Sequence, residues 1–190
     1  MKKIALILSA LLLCLSLFGC GTEDEVPQGM KLASDSQFYN LYVPEGWQIN
    51  QQTPSVCSAQ VSDKNRTNVN VMWWQTSDGY KTHDDFSKEY KERMNETLTE
   101  VKFLSTKAKS VYGDSAKEYI FTAKEAGIYY KFHTTVVLER GIFFVITFTF
   151  MQDPVAETPD SVDDVVFTTY QNYMVDSEIC NKIITNFKVK

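Results

Sequence analysis

The chain has little of what a catalytic site needs. Its 190 residues include two histidines and four cysteines. It lacks a Gly-x-Ser-x-Gly turn, a Cys-x-x-Cys pair, a His-Glu-x-x-His pair, a glycine-rich phosphate loop and a calcium loop of the EF-hand type. These absences argue against serine hydrolases, thiol oxidoreductases, zinc peptidases and nucleotide-dependent enzymes. We therefore expect a protein that is not an enzyme and that uses no cofactor.

Basic residues are also in short supply. The 19 Lys and Arg residues are outnumbered by 24 Asp and Glu residues, which gives a net charge of −5. Such a balance argues against nucleic acid as a partner and against electrostatic attraction to anionic lipids. The one long apolar run, from Ile4 to Phe18, is shorter than the roughly 20 residues that span a bilayer. The rest of the chain has the composition of a single folded domain.

The N-terminus has the form of a secretory signal. Two lysines precede the apolar run, which ends in Leu17-Phe18-Gly19-Cys20. This ending resembles the lipobox of bacterial lipoproteins, whose cysteine receives a diacylglycerol, although Phe18 stands where a smaller residue is usual. We predict a signal peptide over 1–19, a Cys20 that carries lipid and palmitate, and an extracytoplasmic protein anchored to the bacterial cell membrane. The alternatives are an ordinary signal peptide cut elsewhere and a retained membrane helix.

After the predicted lipidation site, the chain divides into a tether and a domain. Residues 20–35 begin with a polar, acidic stretch that contains Pro27 and Gly29 and has few apolar residues. This composition is typical of a flexible linker. No repeat or second linker follows, so residues 36–190 are expected to form one domain.

Two cysteines remain in that domain, Cys57 and Cys180. An even number of cysteines in an oxidising compartment favours a disulfide. A bond between them would close a loop of more than a hundred residues, worth roughly 4–5 kcal/mol in the chain-entropy model. The alternative is two separate buried thiols, which pack as small apolar side chains.

Periodicity predicts a sheet with helices packed against it. Strands are expected around 37–43, 55–62 and 68–75, and a series of antiparallel strands over 101–150 with turns at 111–114, 125–127 and 139–141. The last of them, Ile142–Phe150, is apolar on both faces, which is typical of a central strand. Thr82 is expected to cap a helix whose apolar stripe is Phe86, Tyr90, Met94 and Leu98. Helices are also predicted over Ser161–Met174 and, capped by Asp176-Ser177, over the segment that turns Cys180, Ile184 and Phe187 inward.

Four short segments occur in an order typical of a known family. They are Phe38…Tyr42-Val43-Pro44-x-Gly46-Trp47, Gly113-Asp114-Ser115-Ala116-Lys117-Glu118-Tyr119-Ile120-Phe121, Phe143–Thr149 and Ile183-Ile184-Thr185-Asn186-Phe187-Lys188. This set resembles the PsbP-like family, named for an extrinsic subunit of photosystem II. The resemblance implies an α+β fold, an α-β-α sandwich with a central, mainly antiparallel sheet of about six strands. It also implies a role in binding or assembly, since known members mostly act in that way.

Two groups of residues are candidates for a binding site. His83, Asp84 and Asp85 follow one another and could contribute to a metal site with ligands from elsewhere. The alternative is that acidic residues simply favour the first turn of a helix. Among the aromatic residues, Trp47, Trp74 and Tyr130 could line a groove for a glycan or peptide. The alternative is that these aromatic side chains pack under helices.

Two functions are compatible with these features. The first is a lipid-anchored, non-catalytic module that binds or helps to assemble another envelope protein. It rests on the predicted anchor, the tether and the absence of catalytic motifs. The second is a lipoprotein receptor for a small ligand or metal ion, which would use the aromatic or acidic residues named above.

Overall fold

The computed structural model describes residues 25–53, 56–76, 82–152 and 173–190. These residues form two helices, α1 (His83–Thr97) and α2 (Tyr173–Thr185). They also form ten strands: β1 (Met30–Asp35), β2 (Tyr39–Pro44), β3 (Gln48–Gln52), β4 (Val56–Gln60), β5 (Asn68–Gln75), β6 (Thr99–Val111), β7 (Asp114–Glu125), β8 (Ile128–Glu139), β9 (Ile142–Met151) and β10 (Lys188–Val189). The predicted α+β class is confirmed.

Seven strands form the main sheet, in the order β3-β4-β5-β9-β8-β7-β6, and every neighbouring pair is antiparallel. A smaller sheet has the order β1-β2-β10. β9 lies inside the main sheet between β5 and β8, as its apolar residues on both faces predict. The main sheet exceeds the expected six strands by one.

Three tight hairpins connect β6 to β9. Each loop has two residues with positive φ, the second of them glycine: Tyr112-Gly113 (53° and 94°), Ala126-Gly127 (49° and 86°) and Arg140-Gly141 (50° and 73°). Two consecutive residues with positive φ are the signature of a type I′ turn, whose twist matches that of the flanking strands. The turns predicted at these places are confirmed.

The main sheet has a core on each face. The larger core packs β1, β2 and α2 against β4, β5 and β9, and its largest members include Tyr39, Tyr42, Phe144, Phe148 and Phe187. The second core, called the helix core below, lies under α1. It comprises Phe86, Tyr119, Phe121, Ala123, Val136, Phe143 and Val145, with Tyr90, Met94 and Leu98 packed against it. Burial of each large apolar side chain contributes about 1.5–3 kcal/mol.

α1 begins as its sequence predicts. Oγ1 of Thr82 accepts a hydrogen bond of 3.2 Å from the Asp85 amide, and the Asp85 carboxylate accepts one of 3.2 Å from the Thr82 amide. This reciprocal capping box satisfies two N–H groups that have no partner within the helix. The predicted stripe faces the sheet, where the Phe86 ring stacks 5.4 Å from Tyr90 and lies tilted, 4.9 Å from Phe143.

Two predicted boundaries are wrong. The tether does not extend to residue 35, because Met30–Asp35 form β1, which pairs with β2 and buries Met30 and Ala33. α2 begins at Tyr173 rather than at a cap on Asp176-Ser177. The Asp176 carboxylate instead accepts a 3.1 Å hydrogen bond from the side chain of Asn65, so it holds the helix to the β4–β5 loop.

Several predictions fall outside the described residues. They are the signal peptide over 1–19, the lipidated Cys20 and most of the predicted helix over 161–174. In the described ranges, no helix combines the length and the apolar character required to cross a membrane.

Candidate functional site

The predicted disulfide is not formed. Cys57 on β4 and Cys180 on α2 are both buried and free. The Cys57 thiol lies 3.6 Å from the carbonyl oxygen of Ala33, and both cysteines pack in the larger core. Burial raises the pKa of Cys57 to about 11 and also raises the pKa of Cys180. The two thiols therefore behave as small apolar side chains.

The acidic start of α1 has structural partners. Nε2 of His83 lies 3.0 Å from the carbonyl oxygen of Ser115, and Asp84 forms a 2.8 Å ion pair with Lys117, while Asp85 belongs to the capping box. The hydrogen bond from Lys117 lowers the pKa of Asp84. Within the described ranges, no three His, Cys, Asp or Glu side chains come together as a metal site would require. The metal hypothesis at His83, Asp84 and Asp85 gains no support.

Trp47 and Tyr130, two residues of the predicted aromatic groove, lie on opposite faces of the main sheet. Trp47 is 4 % exposed and belongs to the larger core, so it is not available to a ligand. Tyr130 is half-buried on β8, with its ring 6.1 Å from Phe132, which packs against the helix core on the other face. Trp74 pairs through its backbone with Phe143, and its side chain lies outside the described part of the structure.

β6 forms an open edge of the main sheet. Among the described strands it pairs with β7 and no other. Its first half is irregular, with register shifts between Thr99 and Lys102 and between Phe103 and Ser105. Its second half, 105–111, pairs with β7 residue by residue without interruption. We call this regular half the β6 edge.

Backbone groups of the β6 edge point away from β7 at alternate residues. In an antiparallel ladder, residues that bond to the partner strand alternate with residues whose N–H and C=O groups point outward. Val111 and Asp114 close a type I′ hairpin and therefore bond to each other. The alternation assigns outward-facing backbone groups to Thr106, Ala108 and Ser110, and all three side chains are exposed and small.

A row of ionisable side chains crosses the sheet beside this edge. Nζ of Lys109 lies 3.1 Å from the Glu118 carboxylate on β7, which in turn lies 2.7 Å from Nε2 of His133 on β8. The hydrogen bond from His133, assisted by Lys109, lowers the pKa of Glu118 to about 2. Lys107 on β6 is exposed and forms no ion pair with another described residue. The β6 edge therefore presents a positive charge.

Further along the same face of β8, Lys131 is fully buried. Removal from water lowers the pKa of this lysine to about 7. Its position opposite Phe150 on β9 makes it part of the interior rather than of the β6 edge.

A polar cavity of about 550 Å³ opens beside the β1–β2 turn. Its lining is Ser34, Asp35, Ser36, Gln37, Gln52 and Thr53. Oγ of Ser36 accepts hydrogen bonds from the amides of Phe38 and Tyr39, and the Asp35 carboxylate is paired with Lys190. The cavity therefore offers hydroxyl, amide and carboxylate groups as hydrogen-bond partners.

Sequence reasoning does not single out the β6 edge. An edge strand is recognised by which strands pair with it, and the pairing order is not written in the strand itself. One signal was available: lysines at 107 and 109 alternate with small residues at 106, 108 and 110. Charged residues of this kind are typical of strands at the edge of a sheet.

Comparison with solved structures identifies the fold. The solution structure of the cyanobacterial PsbP from Synechocystis aligns with 92% of this chain and 99% of its own, at a TM-score of 0.55 and 14% identity. LpqN of Mycobacterium tuberculosis, involved in cell envelope biogenesis, aligns with 80% of this chain and 83% of its own, at 0.50 and 13% identity. A Bacteroides thetaiotaomicron structure aligns with 86% of this chain but 49% of its own, at 0.53 and 16% identity.

The fold is thus PsbP-like, as the four sequence segments predict. No family model matches the sequence, and no curated protein matches it. At these identities the likeness extends to the fold and not to particular site residues.

Proposed function

We propose that this chain is a lipid-anchored, extracytoplasmic, non-catalytic module that holds an extended segment of another envelope protein along the β6 edge. The lipobox-like segment that ends at Cys20 supports the location. The PsbP-like fold, which the chain shares with a cyanobacterial PsbP and with a protein involved in cell envelope biogenesis, supports a role in binding. The observation that carries the proposal is the regular, open β6 edge.

An added strand is the natural occupant of such an edge. Outward N–H and C=O groups at Thr106, Ala108 and Ser110 would bond to the backbone of an extended peptide, as in other cases of β-strand addition. Proteins usually block long edges with proline, a bulge or lysines. Lysines such as Lys107 oppose pairing with another basic strand but not with an acidic one. The first half of β6 carries two register shifts, whereas 105–111 has no shift and no proline.

The positive charge of the β6 edge determines which kind of segment can bind there. A second copy of β6 would bring the lysines of both copies together, and like charges on neighbouring strands are destabilising. An acidic segment would instead place carboxylates beside Lys107. The preferred partner is therefore an extended acidic stretch of a different protein.

Proline at position 108 tests the edge directly. The outward N–H of Ala108 takes no part in the β6–β7 ladder, so Ala108→Pro removes a donor for the partner while the hairpin remains paired. A photo-crosslinking amino acid at Thr106 should capture one recurrent envelope protein in intact cells. When Ala108→Pro is added to the protein with the crosslinker at Thr106, the yield of the crosslinked product should fall at least tenfold. The unfolding midpoint should not change, because the hairpin remains paired.

Lys88, exposed on α1, is the matched control position for the crosslinker. The proposal is wrong if Thr106 captures no recurrent protein, or if Lys88 captures the same protein equally well. Lys107→Glu is a second variant, which leaves every backbone N–H donor of the β6 edge in place. It should weaken capture of an acidic segment, because it replaces the positive charge with a negative one.

The anchor needs its own experiment. Radioactive palmitate should label the wild-type protein, and Cys20→Ser should abolish the label and release the protein from the membrane fraction. Two or more acyl chains would give stable membrane association, which a single chain does not provide. Retention of the variant in the membrane fraction would show that another element holds the protein there.

The polar cavity favours a second function, a receptor for a small polar ligand. Asp35, Gln37 and Gln52 would supply a carboxylate and two amides to such a ligand. A thermal-shift screen against amino acids, sugars and metal ions should then reveal a ligand whose stabilising effect disappears in Asp35→Asn. A ligand at a hundredfold its dissociation constant adds about 2.7 kcal/mol to the stability.

A further inference from the structure

The three hairpin loops of the main sheet begin with residues that are unusual for their conformation. Tyr112, Ala126 and Arg140 have φ angles of 53°, 49° and 50°, and each precedes a glycine. Asparagine, aspartate and glycine are the residues that favour this position of a type I′ turn. A positive φ is uncommon for other residues and is an outlier for a bulky one. Backbone strain of this kind needs an explanation at each loop.

Contacts within the protein explain Arg140 but not Tyr112. Nε of Arg140 donates to the Glu139 carboxylate at 3.1 Å, and its guanidinium also donates to the carbonyl oxygen of Lys190 at 3.3 Å. The Tyr112 side chain is 67 % exposed, more than any other large apolar side chain of the described residues. Nζ of Lys188 lies 5.8 Å from the centroid of its ring, close to the limit of about 6 Å for a cation–π contact. Packing within the protein therefore gives no reason for a tyrosine at this position.

The loop of Tyr112 adjoins the β6 edge, unlike the loops of Ala126 and Arg140, which connect β7 to β8 and β8 to β9. Tyr112 directly follows Val111, the last residue of β6. It lies two residues beyond Ser110, whose backbone groups point outward, at a distance of about 7 Å along an extended chain. An extended segment that pairs with the β6 edge therefore passes beside Tyr112 where it leaves the ladder.

The Tyr112 ring lies on the same side of the sheet as the lysines of the β6 edge. Lys109 pairs in register with Ala116, which belongs to the larger core, and Lys107 projects to the same face because it is two residues away. β10 packs on this core as well, and its Lys188 is the residue that reaches the Tyr112 ring. One side of the β6 edge thus combines an exposed aromatic ring with positive charge.

We infer that the Tyr112 ring binds an apolar side chain of the segment that pairs with the β6 edge. The inference rests on the proposed function and specifies the partner further. The segment places acidic residues beside Lys107 and an apolar residue, about four positions away, on the Tyr112 ring. Side chains an even number of residues apart project to the same face of a strand, so one side of the segment makes both contacts. The nearby lysines disfavour a cationic residue at the ring, and tyrosine is enriched among the residues that dominate binding.

This role gives Tyr112→Asn two effects of opposite sign. Asparagine suits the turn, so the variant should raise the unfolding midpoint by roughly 2–4 °C. The same variant should weaken binding of the segment, because the ring is lost. A tyrosine that served only the fold would show the reverse, a lower midpoint and unchanged binding.

Titration of the full-length protein in detergent with two synthetic peptides tests the inference. The first peptide is Phe-Thr-Glu-Thr-Glu-Thr-Glu-Thr-Phe with blocked ends, and its palindromic sequence presents a phenylalanine to Tyr112 in either strand direction. The second peptide has alanine in place of both phenylalanines. Wild type should bind the first peptide at least tenfold more tightly than the second. Tyr112→Asn should bind the two equally, and Tyr112→Phe, which keeps the ring, should retain the preference.

Ala126→Asn is the matched control, since it improves the same turn position in a loop away from the β6 edge. It should raise the midpoint and retain the tenfold preference. Ala108→Pro should abolish binding of both peptides, which separates the inference from the proposed function. Equal binding of the two peptides to wild type would overturn the inference and leave the β6 edge intact. Binding of neither peptide would overturn both, and a lower midpoint for Tyr112→Asn would overturn the inference alone.

Discussion

The Glu118 carboxylate lies 2.7 Å from Nε2 of His133, although the two residues are not register partners. Glu118 pairs with Thr135, and His133 pairs with Ile120, so the bond connects diagonal neighbours on β7 and β8. Lys109 continues the same diagonal on β6. The side chains of His133 and Glu118 are 6% and 14% exposed, and a charged group so placed needs its partners.

Glu118 should make stability depend on acid pH. Its pKa falls from 4.5 to about 2 in the folded protein, so the native state binds fewer protons than the unfolded state between these values. The contribution is complete above about pH 4.5 and is lost as the pH falls through 2. Glu118→Gln should lower the free energy of unfolding by roughly 2–3 kcal/mol at pH 7. In denaturation experiments at a series of acid pH values, the stability of this variant should depend less on pH than that of the wild type. Glu96→Gln, an exposed change on α1, is the control. If the stability of the wild type and that of Glu118→Gln changed with pH in parallel, this account would be contradicted.

The capping box should account for part of the stability of α1. Thr82→Ala removes the acceptor of the Asp85 amide, which typically costs about 1 kcal/mol. Urea denaturation of the two proteins measures the difference. Thr97→Ala, an exposed change in the last turn of the same helix, is the comparison and should leave stability nearly unchanged. Equal losses at both ends would mean that the cap does not stabilise the helix.

Local patterns predicted the elements that are long or strongly periodic. The stripe from Phe86 to Leu98 and the cap at Thr82 specify α1, because a helix repeats every 3.6 residues and needs its first N–H groups satisfied. The alternation in Asn68–Gln75 and the run Ile142–Phe150 specify β5 and β9 in the same way. The hairpin glycines Gly113, Gly127 and Gly141 locate the turns.

Features that depend on distant pairing could not be predicted. β1 has two well-buried apolar residues, Met30 and Ala33, and its pattern is too short to distinguish from a linker. Cys57 and Cys180 both face the larger core, but inward orientation does not bring two sulfur atoms within bonding distance. β5 lies beside β9 in the main sheet because Asn68 pairs with Thr149 and Gln75 with Ile142, partners that no local pattern connects.

A better turn residue at position 126 should stabilise the protein. Ala126 has a φ of 49° and begins the type I′ loop between β7 and β8. Asparagine tolerates this conformation much better than alanine, and Asn-Gly is the preferred sequence for such a loop. Ala126→Asn should therefore raise stability by about 0.5–1 kcal/mol, measured by thermal unfolding. Ala108→Asn, at an exposed strand position with ordinary φ, is the control, and a similar gain there would show that the turn is not the cause.

The two core thiols should be unreactive until the protein unfolds. Burial raises the pKa of Cys57 to about 11 and also raises that of Cys180, so little thiolate is present at neutral pH and neither sulfur is accessible. In the native protein at pH 7 without reductant, maleimide should label neither residue. In guanidinium, again without reductant, both should be labelled, and Cys57→Ala and Cys180→Ala should each remove one of the two modified peptides from the mass spectrum. Dithiothreitol should leave the unfolding midpoint unchanged. If labelling of the unfolded chain required prior reduction, the two cysteines would be bonded in the cell, and the packing of free thiols in the larger core would have to be revised.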